Sequence, residues 1–463
     1  MKILVQKFGG TSVDSEEHRA LAAGKVVRAV QAGWSVVVVV SAIGRAGAPY
    51  ATDTLVSTLK NVDPSVPPAP REMDLMMACG EIISTVVLAQ TLRALGHDTV
   101  ALTGGQAGIQ TDYDFGNARI LSIDPAYIVR MLEQGKVVLV AGFQGVTTFG
   151  AITTLGRGGS DTTASALGAA LKPHADAVAV EIYTDVDGVK TADPRLVPEA
   201  RTLAAASYEE VSEMAHQGAK VVHPRAAEIA NQYRIPLWVK STFEDKAGTL
   251  IAAGEDLDET VRLRVTGVTH TGRIIYLRFE MPTDDESDRA QIELEIYRML
   301  ENEAIPIYLT STGGCAFSFA VVREHLPRLR ELFDGLVVPV DLGPRARAPY
   351  GRVYVLGVGR GQKAYEAQRA LLGSAARFVE VHAVEADVTE SCTMLSIIAS
   401  RFTGVPGVMA LILETLAAAG IPVFQTADSA YSISVLVPEA DTQKAACALH
   451  EVFELKAEPA AAG

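Results

Sequence analysis

With 463 residues, of which 48% are apolar and 21% charged, the chain has the composition of a soluble globular protein long enough for roughly two to four domains. A net charge of −14, spread along the chain, disfavours nucleic acid or an acidic membrane surface as partner, so an acidic small substrate would need its own local basic groups. Four widely spaced cysteines (Cys79, Cys315, Cys392, Cys447), without a CxxC pair or a nearby histidine cluster, argue against a disulfide framework and a structural zinc site.

The first residues enter a strand pattern at once, without a charged and then apolar leader, and the apolar run at 36–40 is far too short to span a bilayer. The expectation is a cytoplasmic protein with no membrane partner. An apolar strand at 2–6 runs into Lys7-Phe8-Gly9-Gly10-Thr11-Ser12-Val13, a glycine turn with one lysine. Asp14 and Glu17 follow in capping-box spacing, ahead of a helical pattern through Val30. Paired glycines let a backbone approach a bulky anion, a helix N-terminus favours negative charge, and Lys7 adds a mobile point charge for phosphate oxygens. An ordinary strand-to-helix turn is the alternative.

Residues 36–40 are five consecutive valines, the pattern of a central parallel strand covered on both faces. Similar runs recur at 99–102, 136–141, 177–183 and 235–239, with helical patterns at 81–95 and 161–170 between them. This alternation predicts an α/β layer sandwich with a mostly parallel sheet, whose ligands gather at the carboxyl ends of its strands. A polar, acidic linker follows at 243–258. Beyond it, a helix at 291–301 feeds an Ile-Pro strand at 305–309, and a helix at 408–419 feeds another at 421–424. That repetition suggests two copies of one small α+β module.

The chain contains no GxxxxGK[ST] loop and no protein-kinase elements. It does contain a second glycine turn opening a helix, Thr153-Thr154-Leu155-Gly156-Arg157-Gly158-Gly159-Ser160-Asp161-Thr162-Thr163-Ala164. Arg157 can grip a carboxylate or phosphate through two parallel hydrogen bonds, while Asp161 can cap the helix or hold an ammonium group. Two such turns in one domain suit two anions, a nucleotide and an acidic metabolite. A third polar cluster at 183–195 ends a strand, and 218–225 supplies another basic group; His223, before a proline, reads as structural.

Together with Val38-Val39-Val40-Ser41-Ala42 and Gly80-Glu81-Ile82-Ile83-Ser84, these motifs closely resemble aspartate kinase, in order and at family-like spacing over roughly residues 1–245. The second half resembles the paired ACT regulatory modules of the monofunctional enzymes, best at Gly404-Val405-Pro406-Gly407-Val408-Met409 and Gln425-Thr426-Ala427-Asp428-Ser429. The resemblance implies the amino-acid kinase fold, an αβα sandwich with a mostly parallel sheet, plus two C-terminal ferredoxin-like (α+β) modules. It implies transfer of the ATP γ-phosphoryl group, with Mg²⁺ accompanying the nucleotide, to the β-carboxylate of L-aspartate. It also implies feedback control by an amino acid and a homodimer or higher assembly.

Carried over by that resemblance, Lys7, Arg157 and Asp161 are the catalytic set, and Lys7 also binds phosphate with Phe8, Gly9 and Gly10. Thr52, Glu81 and Arg157 are the aspartate contacts. Ser41, Thr184, Asp185, Lys190, Arg195 and Lys220 complete the nucleotide site, and Val405, Gly407, Val408, Gln425 and Asp428 the effector site; no protein-held metal site is implied. The expected boundaries are a catalytic domain at 1–245, a linker at 246–262, a first module at 263–340, an atypical connection at 341–390 and a second module at 391–457. The segment Pro49-Tyr50-Ala51-Thr52-Asp53-Thr54 looks most like the diaminopimelate-sensitive class. Ala430-Tyr431-Ser432-Ile433, however, replaces that class's histidine and threonines, leaving diaminopimelate, lysine, threonine or no effector open. A kinase of another small acid and a catalytically silent amino-acid sensor are the competing readings.

Overall fold

The computed structural model describes residues 1–219, 221–257, 265–313, 316–340, 351–358, 366, 370, 379–402 and 407–456. Its N-terminal half is built on a sheet of β1 (Lys2–Phe8), β2 (Ser35–Val40), β3 (Thr99–Leu102), β6 (Val137–Ala141), β9 (Ala177–Thr184), β10 (Ala205–Ser207), β11 (Leu237–Ser241) and β12 (Thr249–Ala252), in the order β10-β12-β11-β9-β1-β2-β6-β3. Every pairing is parallel except β11 with β12. A small second sheet joins β5 (Ile120–Ile123), β4 (Ile109–Thr111), β7 (Gln144–Val146) and β8 (Ile152–Thr154) in that order.

The valine run explains why β2 is central. Val36, Val38 and Val40 pack with Ala22, Val26, Leu88 and Leu92 of helices α1 (Glu16–Gln31) and α3 (Pro70–Ala94). Val37 and Val39 pack on the other face with Ala164 and Leu167 of α5 (Gly159–Leu171). The same alternation decides the neighbouring strand: Leu4 and Phe8 turn toward α1 and α3, whereas Ile3, Val5 and therefore Lys7 turn toward α5. Side-chain period thus aims Lys7 at the second glycine turn. The helix after the first turn is capped by Ser15, whose hydroxyl accepts the His18 N–H at 3.1 Å; Asp14, the expected cap, instead meets the His18 ring at 2.6 Å.

By length and composition α3 could cross a membrane, yet here it lies across β2, β3, β6 and β8 and carries two buried carboxyl side chains, Asp74 and Glu81. Shorter helices α2 (Thr52–Lys60), α4 (Ala126–Glu133), α6 (Tyr208–His216) and α7 (Pro224–Tyr233) complete this half.

The C-terminal half shows one pattern twice. In the first copy β13 (Val265–Glu280), α8 (Glu286–Asn302), β14 (Thr310–Gly313), β15 (Ala316–Val322) and α9 (Leu326–Phe333) follow one another. After β16 (Val337–Val340) and β17 (Gly351–Gly357), the second copy runs β18 (Val379–Ala399), α10 (Val408–Ala418), β19 (Gln425–Asp428), β20 (Ser432–Pro438) and α11 (Thr442–Val452). Each copy ends its first helix alike. The N–H of Ile305 reaches back to the Leu300 carbonyl, and that of Ile421 to the Leu416 carbonyl, across a residue in the left-handed region, Ala304 or Gly420.

The Ile-Pro stretches expected as strands are extended connections: the strands begin later, at Thr310 and Gln425, because a proline cannot donate to a ladder. The two copies share one sheet, ordered β14-β15-β13-β18-β17-β16, with β20 also on β18 and β19 on β20. A single strand, β18, runs through residues 390 and 391, where the sequence expectation separated connection from second module. The connection supplies β17 and the start of β18; most of residues 341–378 lie outside the described residues.

The halves meet where the chain after β9 returns. Ala192 and Val197 share a core cluster with Val268, Ile412, Leu416 and Leu449. The Val268 N–H donates to the Thr191 carbonyl at 2.8 Å, and Thr191 Oγ1 lies 2.9 Å from Nε2 of the fully buried His450 on α11.

Candidate active site

Lys7 emerges at the carboxyl end of β1, and its Nζ lies 2.7 Å from Asp161 Oδ1, with 12% of each side chain exposed. Beyond it the chain turns through Gly10, where a Cβ would stand 2.6 Å from the carbonyl oxygens of both Ala42 and Gly44. Only glycine fits there, and the Gly10 carbonyl accepts the Gly44 N–H at 3.0 Å, tying the two loops together. The second turn is as constrained. Gly158, at φ 67°, precedes α5, and the His223 ring fills the space its Cβ would take. This gives His223 the structural role expected for it; burial holds its pKa below the usual imidazole range. The turn leaves Arg157 beside the first N–H groups of α5, with Asp161 in the helix's first turn.

Lys7, Ser41, Thr52, Glu81, Arg157 and Asp161 line one cleft of about 450 Å³. Six residues from five separated stretches of chain are therefore brought together. Glu81 reaches it from the middle of α3, 3% exposed: the Ala42 N–H donates to its Oε1 at 3.0 Å, while Oε2 has no partner among the described residues. Burial pushes this carboxyl up to about 8, more than the Ala42 hydrogen bond lowers it. A buried acceptor left open beside a cleft is arranged to receive a donor. The cleft also includes Asp53, Met77, Gly116 and Phe143, which sequence reasoning did not select. Met77 was detectable, standing four residues before Glu81 on the same helix face.

The expected nucleotide residues behave less uniformly. The Gly9 N–H donates to the Tyr183 carbonyl at 3.3 Å, so the end of β9 lies beside the first glycine turn. There Thr184 Oγ1 donates to Asp185 at 3.1 Å, and Arg45 pairs with Asp185 at 2.6 Å. Lys190 pairs with Asp187 at 2.6 Å and donates to Thr202 at 2.7 Å, and Lys246 reaches Asp187 at 3.0 Å. Burial works to raise the Asp187 carboxyl, but the two lysines hold it down to about 2. Arg195 is not part of this group; its guanidinium is exposed and paired with Asp193 at 2.6 Å. The Phe8 side chain is in the core, stacked on Tyr183 at 4.9 Å, and only its backbone borders the turn, accepting the Ser41 N–H at 3.1 Å. Lys220 lies outside the described residues.

Among the described residues no three His, Cys, Asp or Glu side chains are arranged to hold a metal ion. In the C-terminal half, Gly407 caps α10 at φ 89° and Val408 is that helix's first residue. Gln425 bridges the modules, its Oε1 accepting from the Ser318 hydroxyl at 3.2 Å and its Nε2 unpartnered, whereas Asp428 is exposed at the far end of β19. Val405 lies outside the described residues.

Comparison with known proteins agrees with this architecture. The Amino acid kinase family profile matches residues 2–241, and an ACT domain profile matches residues 387–451. Aspartokinase 1 of Bacillus subtilis is 39% identical over 98% of this chain and 100% of its own length. The aspartokinase of Corynebacterium glutamicum is 35% identical over 99% and 97%. In three dimensions the aspartate kinase of Synechocystis superposes with a TM-score of 0.61 at 25% identity, covering 100% of both chains. E. coli aspartokinase III, crystallised with aspartate and ADP, superposes with a TM-score of 0.68 at 22% identity over 97% of this chain and 99% of its own, a likeness of fold. The amino-acid kinase fold joined to ACT modules, and full-length identity to curated aspartokinases, place this chain in the aspartokinase family.

Proposed function

We propose that the protein transfers the γ-phosphoryl group of ATP to the β-carboxylate of L-aspartate, forming 4-phospho-L-aspartate, under amino-acid control exerted by the ACT modules. The observation that carries this reading is the Lys7–Asp161 ion pair at the mouth of two glycine turns, in one cleft with Glu81 and Arg157. The attacking carboxylate is already ionised at neutral pH, so no general base is needed. Catalysis reduces to alignment and charge neutralisation.

Lys7 neutralises charge on the transferring phosphoryl group, and Asp161 holds its ammonium in place. The Gly9–Gly10 turn and the first N–H groups of α5 face phosphate oxygens without intervening side chains. Arg157 clamps the α-carboxylate of aspartate, and the open Oε2 of Glu81 takes its ammonium, with Thr52 and Ser41 at the rim. Thr184, Asp185 and Lys190 hold the nucleotide; the exposed pairing of Arg195 with Asp193 gives that residue a lesser part. Mg²⁺ arriving with ATP supplies further charge neutralisation. Gly407, Val408, Gln425 and Asp428 belong to the effector side, in a homodimer or larger assembly.

The test is hydroxylamine trapping of the acyl phosphate from L-aspartate, ATP and Mg²⁺, with and without lysine, threonine or meso-diaminopimelate. Hydroxamate from aspartate, suppressed by one of the three, is the expected result. A folded, ATP-binding protein that yields hydroxamate only from another small acid, or none at all, refutes the reading.

A further inference from the structure

Asp74 is 1% exposed in the second turn of α3, past the helix's own N-cap Ala69. It therefore caps nothing in its own helix. An isolated buried carboxylate is expensive, so its partners matter. It has three, all from distant chain: Oδ2 accepts the N–H groups of Gly116 at 2.9 Å and Thr154 at 2.7 Å, and Oδ1 accepts the Thr154 hydroxyl at 2.9 Å. Charge-assisted bonds of this kind are about twice as strong as neutral ones.

The two segments held this way are the walls of the cleft. Gly116 lines it directly, and Thr154 ends β8, three residues before Arg157. Between them Gly156 packs against Asn117. On α3 itself, Asp74, Met77 and Glu81 follow at helical spacing, so the helix that presents Glu81 to the cleft also grips the strand that delivers Arg157. A second tie, from Gln144 Nε2 to the Ala78 carbonyl at 3.0 Å, holds the neighbouring strand β7 to the same helix.

We propose that Asp74 is a positioning residue for the acidic substrate: by bonding Gly116 and Thr154 to α3 it sets the separation of Arg157 from Glu81, and so the affinity for aspartate. The proposal rests on the aspartate-kinase reading above. It predicts a defect confined to one substrate, because none of the three bonds reaches the loop after β9, to which the nucleotide is assigned above.

The experiment measures hydroxamate formation with aspartate and ATP varied separately, for the wild type, Asp74→Ala, Asp74→Asn and Thr154→Val, with thermal unfolding to verify folding. Asp74→Ala should raise KM for aspartate about tenfold or more while KM for ATP stays within about twofold. Asp74→Asn should be intermediate, since its carbonyl oxygen can keep both N–H bonds while its NH₂ group turns to Thr154 Oγ1. Thr154→Val, which deletes one bond, should raise KM for aspartate about two- to fourfold. Folded Asp74→Ala with an unchanged KM for aspartate, or with both KM values raised alike, overturns the proposal, as does an Asn variant no better than Ala. Should Asp74→Ala not fold, an unchanged KM for aspartate in Thr154→Val overturns it. Wild-type protein without activity on aspartate would instead refute the functional reading itself.

Discussion

The cleft wall that carries Glu81 and Arg157 and the loop that follows β9 are built differently. The side with Glu81 and Arg157 is held from within the N-terminal half, by a buried carboxylate with three donors and by the Gln144–Ala78 tie. The loop that continues from β9 is held partly by ion pairs and partly by the other half of the molecule. Lys190 and Lys246 meet at Asp187, and the following residues reach Val268 and His450 through Thr191. The loop after β9 shares a core cluster with α10 and α11. Under the proposed function, this difference predicts that the aspartate contacts depend less on the regulatory half than the nucleotide contacts do.

The sharpest way to break this comparison is to remove the group common to both sides. Lys7→Ala should lower kcat by about a thousandfold or more in a folded protein, the loss expected for a preorganised charge aimed at the transferring group. Near-normal kcat would remove Lys7 from its role. Arg157→Ala should raise KM for aspartate about 10- to 100-fold and leave KM for ATP nearly unchanged, as for a lost charge-assisted pair. Parallel rises in both KM values would contradict a division between the two regions.

A pH series sharpens the same side. With its carboxyl raised to about 8, Glu81 is mostly protonated in the empty cleft at pH 7 and must ionise to hold an ammonium group. Affinity for aspartate should therefore rise by up to about tenfold from pH 7 to 9 and then level off, and Glu81→Gln should weaken binding and flatten the profile. The linkage to folding has the opposite trend: this group's contribution to stability is complete below the unfolded carboxyl range and is lost as pH rises through about 8. A pH-independent KM for aspartate in the wild type would argue that Glu81 is ionised before the substrate arrives.

The smallest effect belongs to the interface. Thr191→Val deletes the hydroxyl that meets His450 and accepts the Arg201 N–H at 3.1 Å, while keeping the side chain's shape. It should cost about 1–2 kcal/mol of stability, raise KM for ATP a few-fold and blunt any effector response, leaving KM for aspartate unchanged. A shift in the aspartate KM alone would reverse the predicted dependence on the regulatory half.

Much of this was legible in the sequence wherever function depends on local chemistry. The five valines at 36–40 announced a strand covered on both faces, and period-2 alternation along residues 3–8 set Lys7 and Phe8 on opposite faces. The glycine turns at 9–10 and 156–159 are both tightly packed, Gly10 against the Ala42 and Gly44 carbonyls and Gly158 against the His223 side chain. The helix-to-strand repeat of the second half was visible, although the proline in each Ile-Pro stretch delays its strand.

Other features required the tertiary structure, because their partners are far away along the chain. Asp74 reads as an ordinary polar residue of α3 until Gly116 and Thr154 arrive from 42 and 80 positions later. Phe8 belongs to a motif that suggests phosphate contact, yet its ring stacks on Tyr183 from a distant strand; Arg195, by contrast, is captured locally by Asp193. The sequence by itself determined the strands, the turns and the charged groups offered to a phosphate and a carboxylate, since these follow from periodicity and backbone freedom. Only the folded chain decided which carboxylates lost water, which acceptors stayed open and which loop leans on the regulatory half, because desolvation and long-range hydrogen bonding exist only once distant segments have packed.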